Sequence, residues 1–268
     1  MSELIVREAE KTVRGIKVLD GVSLSCSSGQ IVGLCGANGS GKTMLLRAIT
    51  GLMYLDRGFV EYDGKRLGRD IDFVPHGGVL IENPAFLGRY TAVDNLRFIA
   101  AMSDGVDMEH IRRCVAAVGL DPDDRRRYRQ FSLGMRQRLG IAAAIMGRPR
   151  LVVLDEPTNA LDESGFDLMG RIAADIRRRG AMAIVASHDP DVLRCMADEI
   201  IRMKDGRVIE CETVRRAGAV GRARMPHPCR ALLPDATRGR CLLYEARKAA
   251  CPCVRGAGDR RCVRMAYT

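Results

Sequence analysis

The chain has 268 residues and a net charge of +10, with 4% aromatic residues and no tryptophan. No apolar run has the length of a membrane span, and the first ten residues lack the basic-then-apolar pattern of a secretory signal, so we expect a cytosolic protein. From Glu212 onward there are thirteen Lys or Arg and only four Asp or Glu. The rest of the chain is therefore nearly neutral, and its charge gives no reason to expect a nucleic-acid partner.

The first part of the chain predicts short strands joined by turns. Apolar runs broken by Gly and Asp-Gly indicate strands at 4–7, 17–25, 31–35, 59–62 and 71–74. A helix is predicted at 43–50, ending at Gly51. We interpret these segments as N-terminal antiparallel β elements leading into a parallel sheet.

Helical patterns replace the strand patterns in the middle of the chain, at 91–102, 109–118 and 133–146. Strands and helices then alternate, with strands at 151–154 and 182–186, helices at 164–179 and 190–196, and a closing hairpin at 199–203 and 207–210. Apolar strands alternating with helices predict an α/β fold with a wound parallel sheet. We predict a core of residues 1–81 and 147–211, a helical insertion at 82–146, and a separate tail at 212–268.

The segment 36–43 follows an apolar strand and has the pattern G-x-x-x-x-G-K-T of a phosphate-binding P-loop. Its residues, all predicted to contact a nucleotide, are Gly36, Ala37, Asn38, Gly39, Ser40, Gly41, Lys42 and Thr43. We expect the three glycines to permit positive φ and close backbone approach to phosphates. Lys42 is predicted to contact the β- and γ-phosphates, and the Thr43 hydroxyl to bind Mg²⁺. The alternative is a chance glycine-rich turn, which the flanking strand and helix patterns disfavour.

Two carboxylates, Asp155 and Glu156, directly follow the buried strand at 151–154, and His188 follows the strand at 182–186. Ligands of open α/β sheets bind at the carboxyl ends of the strands. Asp155 therefore suits Mg²⁺ binding, directly or through water, and Glu156 can polarise a water aimed at the γ-phosphate. Taken alone, the acidic pair could simply end a strand and the histidine could be an ordinary surface residue.

The order and spacing of four motifs resemble the ATP-binding cassette (ABC) ATPases over roughly residues 3–211. The motifs are the P-loop, FSLGMRQR at 131–138, LVVLDEPTNALD at 151–162 and SHD at 187–189. The resemblance implies a P-loop NTPase core that binds ATP and Mg²⁺, with Lys42, Glu156 and His188 as catalytic residues. It also implies a head-to-tail dimer, in which Ser132, Gly134 and Met135 contact the ATP of a second subunit and Asp162 crosses the interface.

Three positions depart from the usual family pattern. Leu133 stands where the signature has glycine, and Glu82 stands where a glutamine links the core to the helical insertion. Both departures resemble the bacitracin-type and lantibiotic-type peptide exporter and immunity ATPases, and Glu82 can still bind Mg²⁺. The usual adenine-stacking aromatic is absent near Val13, where Arg14 could lie over the base instead.

The resemblance implies the nucleotide-binding subunit of a transporter, peripheral on the cytoplasmic face of the membrane and docked on a separate permease. It would power transport, with export of a peptide antibiotic or drug as one possibility. One alternative is a soluble ABC-type ATPase acting on nucleic acid or ribosomes, although neither a long coiled-coil insert nor a second cassette is present. Another is a regulatory cassette with little turnover, which Glu156 and His188 disfavour.

The segment 212–268 is rich in Arg and Cys and lacks a core pattern. We expect it to be disordered or weakly structured. A zinc site is disfavoured because it holds no C-x-x-C pair. Two other interpretations of this segment stay open: a basic arm attracted to anionic lipids, and an unselected extension of the reading frame.

Overall fold

A computed structural model describes residues 2–102, 105–161 and 163–214, which form two sheets flanked by helices. The strands are, in chain order, β1 (Glu3–Val13), β2 (Ile16–Ser27), β3 (Ile31–Cys35), β4 (Arg57–Tyr62), β5 (Lys65–Arg66), β6 (Gly77–Leu80), β7 (Leu151–Asp155), β8 (Met182–Ser187), β9 (Glu199–Lys204) and β10 (Arg207–Thr213). The smaller sheet packs one apolar face inward, whereas the larger sheet is covered on both faces, so the strand pattern of the sequence reflects burial.

The smaller sheet is antiparallel, with the order β2-β1-β4-β5. Strands β1 and β2 form a hairpin whose turn, Arg14-Gly15, has positive φ at both residues. This sheet buries a cluster of aliphatic side chains against α1 and one face of the larger sheet. The predicted antiparallel elements at the N-terminus therefore form a separate layer that supports the helix following the P-loop.

The larger sheet has the order β10-β9-β3-β8-β7-β6, parallel except for the β9–β10 hairpin. Its parallel register pairs Cys35 with Ser187 and Asp155 with Ala186. Strands β3, β7 and β8 are buried throughout, which explains their uninterrupted apolar sequences. Because their carboxyl ends align, the residues that follow them lie along the same edge of the sheet.

Six α-helices surround this sheet within the described residues: α1 (Lys42–Thr50), α2 (Ala92–Ala100), α3 (Met108–Ala117), α4 (Leu133–Ile145), α5 (Glu163–Arg178) and α6 (Pro190–Met196). Helices α2, α3 and α4 lie in the predicted insertion and share a core with the other face of the sheet. Side chains of Thr91, Asp107, Ser132 and Asp189 cap the helices that follow them. The helices consequently begin close to where the sequence places them.

The strand expected at 71–74 is wrong, because that segment forms only an isolated bridge, and the edge strand is β6 instead. Its two glycines hid it, since glycine weakens a strand pattern. Gly78 is needed for packing: a Cβ there would lie 1.8 Å from the carbonyl oxygen of Ala144. The close approach of α4 to β6 thus explains a residue that disfavours the strand.

Strand β10 continues to Thr213, and the Val214 N–H donates to the carbonyl of Asp198, so regular pairing passes the expected end of the domain at 211. The division into core, insertion and tail stays a prediction. The tail cysteines discussed as a zinc site, from Cys229 to Cys262, lie outside the described residues. The part of the tail after residue 214, for which disorder is expected, lies outside them as well. Within the described ranges, no helix combines the length and apolarity that crossing a bilayer requires.

Candidate nucleotide-binding site

The P-loop connects the end of β3 to the first turn of α1. Gly41 is the N-cap of α1 with φ +101°, and the cap makes no side-chain hydrogen bond to this helix end. The first turn also contains no acidic residue. A helix N-terminus with no side-chain acceptor favours an anion, because its N–H groups and dipole both point toward that position.

The P-loop glycines serve different purposes. Gly39 and Gly41 have positive φ, as predicted, but Gly36 does not. A Cβ on Gly36 would lie 2.4 Å from the Met203 carbonyl oxygen and 2.6 Å from Ser40 Oγ. The expectation of positive φ at Gly36 is therefore wrong. Glycine at this position instead allows the loop to pass close to β9.

The Lys42 side chain is 6% exposed and curls back over its own loop. Its Nζ donates to the carbonyl oxygens of Gly36 at 2.6 Å and Ala37 at 3.2 Å, and lies 3.7 Å from Glu156 Oε1. A buried ammonium needs such partners. The loop carbonyls therefore hold this charge against the P-loop.

Asp155 is 5% exposed at the end of β7, and its Oδ2 accepts a 2.7 Å hydrogen bond from the Thr43 hydroxyl. Burial raises the pKa of this carboxyl, while the Thr43 hydrogen bond opposes the shift. Its second oxygen is buried without a hydrogen-bond partner. A carboxylate and a hydroxyl with one unsatisfied oxygen fit a hard divalent cation such as Mg²⁺.

Glu156 and His188 lie together at the neighbouring strand ends. His188 Nδ1 is 2.8 Å from Glu156 Oε2, and the backbone N–H of Glu156 donates to the carbonyl of Ala186. Glu156 has φ +45°, and its carbonyl accepts a 3.2 Å hydrogen bond from Gln137 Nε2. No pattern in the sequence indicates this role of Gln137, which holds the strained backbone in place.

A cavity of about 490 Å³ connects the P-loop with both carboxylates. Its lining residues are Val18, Asn38, Gly39, Ser40, Gly41, Lys42, Thr43, Met44, Glu82, Asn83, Gln137, Asp155, Glu156 and Asn159. Glu82 thus lies at the same site as Thr43 and Asp155, although it is distant in sequence. Among the described residues, no three His, Cys, Asp or Glu side chains form a metal cluster on their own. A cation here therefore needs further oxygen ligands such as phosphates.

The signature segment lies at the start of α4, and its residues 131–136 do not line this cavity, although Gln137 does. Ser132 is exposed and caps the helix by accepting a hydrogen bond from the Met135 N–H at 3.2 Å. Leu133 is 64% exposed. A Cβ on Gly134 would lie 2.8 Å from the Ala160 carbonyl oxygen, so the signature helix touches the loop after Glu156. Asp162 lies outside the described residues.

The structure does not place Arg14, the residue predicted to stack on adenine, among the cavity-lining residues. Arg14 is exposed in the turn between β1 and β2, while Val18 of β2 lines the cavity. Sequence reasoning missed Val18, which resembles any other strand residue. Stacking of Arg14 on the base stays a prediction.

A family model described as ABC transporter matches residues 19–159. The uncharacterized ABC transporter ATP-binding protein YybJ of Bacillus subtilis is 38% identical over 204 residues, covering 76% of this chain and 94% of that protein. The lantibiotic transport ATP-binding protein SrtF of Streptococcus pyogenes is 32% identical, with coverage of 77% and 89%. The bacitracin transport ATP-binding protein BcrA of Enterococcus faecalis is 33% identical, with coverage of 72% and 63%.

Solved structures agree with this family. A dimeric bacterial ABC transporter cassette has a TM-score of 0.72 and 25% identity, covering 80% of this chain and 100% of that chain. A dimeric ATP-binding cassette bound to ADP and Pi has the same TM-score and coverage with 24% identity, and it supports the fold. The predicted fold class and family resemblance are confirmed. The chain thus belongs to the ABC transporter family, as an ATP-binding subunit with ATPase activity.

Proposed function

We propose that this ATPase powers transport of a peptide antibiotic or drug through a separate membrane permease, as part of a head-to-tail dimer. The single observation that carries the proposal is the division of the nucleotide machinery between two surfaces. Lys42, Asp155 and Glu156 surround one cavity, whereas the signature residue Ser132 is exposed and does not line it. The names of SrtF and BcrA, which are lantibiotic and bacitracin transport proteins, support the substrate class.

Within the cavity, each polar residue has a distinct proposed role in hydrolysis. Lys42 would exchange its loop carbonyl partners for the β- and γ-phosphates. Glu156 would orient the attacking water and accept its proton, with His188 holding the carboxylate in position. Thr43, Asp155 and Glu82 would hold Mg²⁺, which supplies charge neutralisation to the phosphates.

The exposed helix start at Ser132 suits the phosphates of an ATP bound by a second copy. It presents a hydroxyl and a helix N-terminus to solvent. We propose that Ser132, Gly134 and Met135 of one subunit complete the cavity of the other, with Asp162 at the same interface. Two identical sites then form around a twofold axis.

Mixing two inactive variants tests this arrangement. Lys42→Met disables the P-loop, and Ser132→Arg blocks the signature, so each variant alone should lose ATPase activity. In a mixed dimer, one site combines both lesions and the other combines neither. With half of the dimers mixed and one of two sites intact, we expect about a quarter of wild-type activity in a steady-state ATPase assay.

Lys42→Met mixed with Thr43→Val is the control, because both lesions then lie on the same side of every site and no intact site can form. If both mixtures stay equally inactive, the composite site is wrong. Recovery in both mixtures would also contradict the composite site, because the Lys42→Met and Thr43→Val pair leaves no intact site in such a dimer.

The helical insertion offers a surface for the permease. Three large apolar residues remain exposed here: Leu87 (54%) and Tyr90 (42%) in the loop that begins at Glu82, and Phe98 (39%) in α2. The rings of Tyr90 and Phe98 pack edge to face, with centroids 4.9 Å apart. An ordered, exposed apolar patch is typical of a protein interaction site. We propose that this patch docks on the permease and keeps the subunit at the cytoplasmic face of the membrane.

Membrane recovery in the native host tests this docking. We expect the wild-type protein in the membrane fraction and its release by alkaline carbonate, as for a peripheral subunit. Phe98→Glu should move most of the protein to the soluble fraction while ATP binding is retained, because a charge at the patch opposes apolar docking. Ile209→Glu, at an exposed apolar residue of β10, is the matched control and should stay with the membrane. Equal fractionation of both variants would argue against the patch.

A further inference from the structure

Glu82 has a partner that the proposed hydrolysis does not use. Arg47 Nη2 lies 2.6 Å from Glu82 Oε1, and the two side chains are 37% and 59% exposed. Arg47 belongs to α1, whereas Glu82 follows β6, so this contact joins the P-loop helix to the start of the helical insertion. Glu82 also has φ +62°, a conformation in which non-glycine residues are uncommon.

The position of Arg47 on its helix relates it to the proposed metal site. Arg47 follows Thr43 by four residues, so both lie on one face of α1 a single turn apart. Glu82 lines the cavity together with Thr43 and Asp155. Its negative charge also contributes to raising the pKa of Asp155. Glu82 is thus near enough to Thr43 and Asp155 to bind the same metal ion, but in this structure its carboxylate is paired with the Arg47 guanidinium.

We propose that Arg47 is a positioning residue that holds Glu82 in the nucleotide-free protein, and that Glu82 exchanges Arg47 for the divalent cation when nucleotide binds. The inference rests on the proposed role of Glu82 as a metal ligand. A guanidinium and a divalent cation compete for one carboxylate oxygen. Release of Arg47 would break the ion pair that connects α1 to the first residue of the helical insertion.

The exposure of this ion pair makes such an exchange feasible. A partly exposed pair contributes little to stability, since water screens its charges and two long side chains must be ordered. A divalent ion bound between phosphates and Glu82 carries twice the charge of Arg47 and interacts more strongly at the same distance. The pair can therefore orient Glu82 without preventing its transfer.

Binding of Mn²⁺, followed by electron paramagnetic resonance in the presence of ATP, tests the exchange without relying on turnover. The background is Glu156→Gln, to keep ATP intact. We expect Glu82→Gln to weaken Mn²⁺ binding about tenfold, through loss of a carboxylate ligand. Arg47→Gln should tighten Mn²⁺ binding several-fold, because Glu82 no longer has to leave a cation. Arg47→Lys should restore most of the original affinity, since it can still pair with Glu82.

The double variant separates the exchange from simple removal of a positive charge. In the Glu82→Gln background, Arg47→Gln should have an effect at least threefold smaller than in the presence of Glu82. Arg112→Gln is the matched control, because Arg112 pairs with Asp123 at 2.8 Å with a similarly exposed guanidinium, and it should leave Mn²⁺ affinity unchanged. Thermal melting of every variant checks that it is folded.

Two results would overturn the inference, and they are distinguishable. If Glu82→Gln leaves Mn²⁺ affinity unchanged, Glu82 is not a metal ligand and that part of the proposed function fails together with the exchange. If Glu82→Gln weakens binding but Arg47→Gln acts equally in both backgrounds, or weakens binding itself, the metal role survives and only the exchange is rejected.

Discussion

Glu156→Gln should reduce ATP turnover by roughly 10²- to 10⁴-fold, the range expected for loss of a general base. Glutamine keeps the size of the side chain and its contact with His188 but cannot accept the proton of the attacking water. ATP binding should persist, because Lys42 and the P-loop backbone are unchanged. With ATP and Mg²⁺ present, the variant should accumulate as a dimer that elutes earlier than the monomer in size-exclusion chromatography.

The matched control is Glu210→Gln, which neutralises an exposed carboxylate on β10 that pairs with Arg202. It should retain wild-type turnover and show no trapped dimer. A Glu156→Gln protein that still hydrolyses ATP would remove Glu156 from its assigned role. One that is inactive yet stays monomeric with ATP would instead count against the composite site.

Gly78→Ala should destabilise the fold although it adds only one methyl group. The new Cβ would lie 1.8 Å from the Ala144 carbonyl oxygen and 2.7 Å from Pro149 Cγ, so α4 must move away from β6. We expect a loss of roughly 3 kcal/mol in the free energy of unfolding, typical of severe overpacking. For a domain of this size, the loss corresponds to a fall in melting temperature of roughly 6–12 °C.

Gly170→Ala makes the same chemical change where nothing lies within 4 Å of the new Cβ, within α5. Alanine is the better helix former, so we expect a gain of about 0.5–1 kcal/mol. Scanning calorimetry of both variants gives the comparison. If both shift the melting temperature in the same direction, close contact between α4 and β6 is not what requires glycine at position 78.

The sequence predicts the central strands well because burial determines their composition. Strands β3, β7 and β8 lie inside the sheet and are apolar throughout, so their patterns are clear. Edge strand β6 was misplaced because packing against α4 imposes a glycine that local propensity disfavours. Pattern reasoning therefore works where side-chain burial dominates and fails where the backbone itself is the contact surface.

The same division applies to the site. The P-loop and Asp155 could be predicted because their chemistry requires particular residue types at fixed spacing. The contacts of Gln137 and Arg47 could not, since each depends on the meeting of segments far apart in the chain, and neither residue type specifies its partner. Gly36 is predicted to permit positive φ and close approach to phosphates. Its φ is not positive, and the neighbour that would meet a Cβ is the carbonyl oxygen of Met203 on β9.

The contact between Gly134 and Ala160 has a consequence for communication within a dimer. Asn159 lines the subunit's own cavity, while the carbonyl of the next residue, Ala160, lies close to Gly134 in the helix that Ser132 caps. A small displacement of Asn159 on ATP binding would thus also move Ala160, and with it the neighbouring surface of Ser132 and Gly134 that faces the nucleotide of the other subunit. In the proposed dimer, ATP bound at one site would therefore change the affinity of the other site for ATP, and binding would be cooperative.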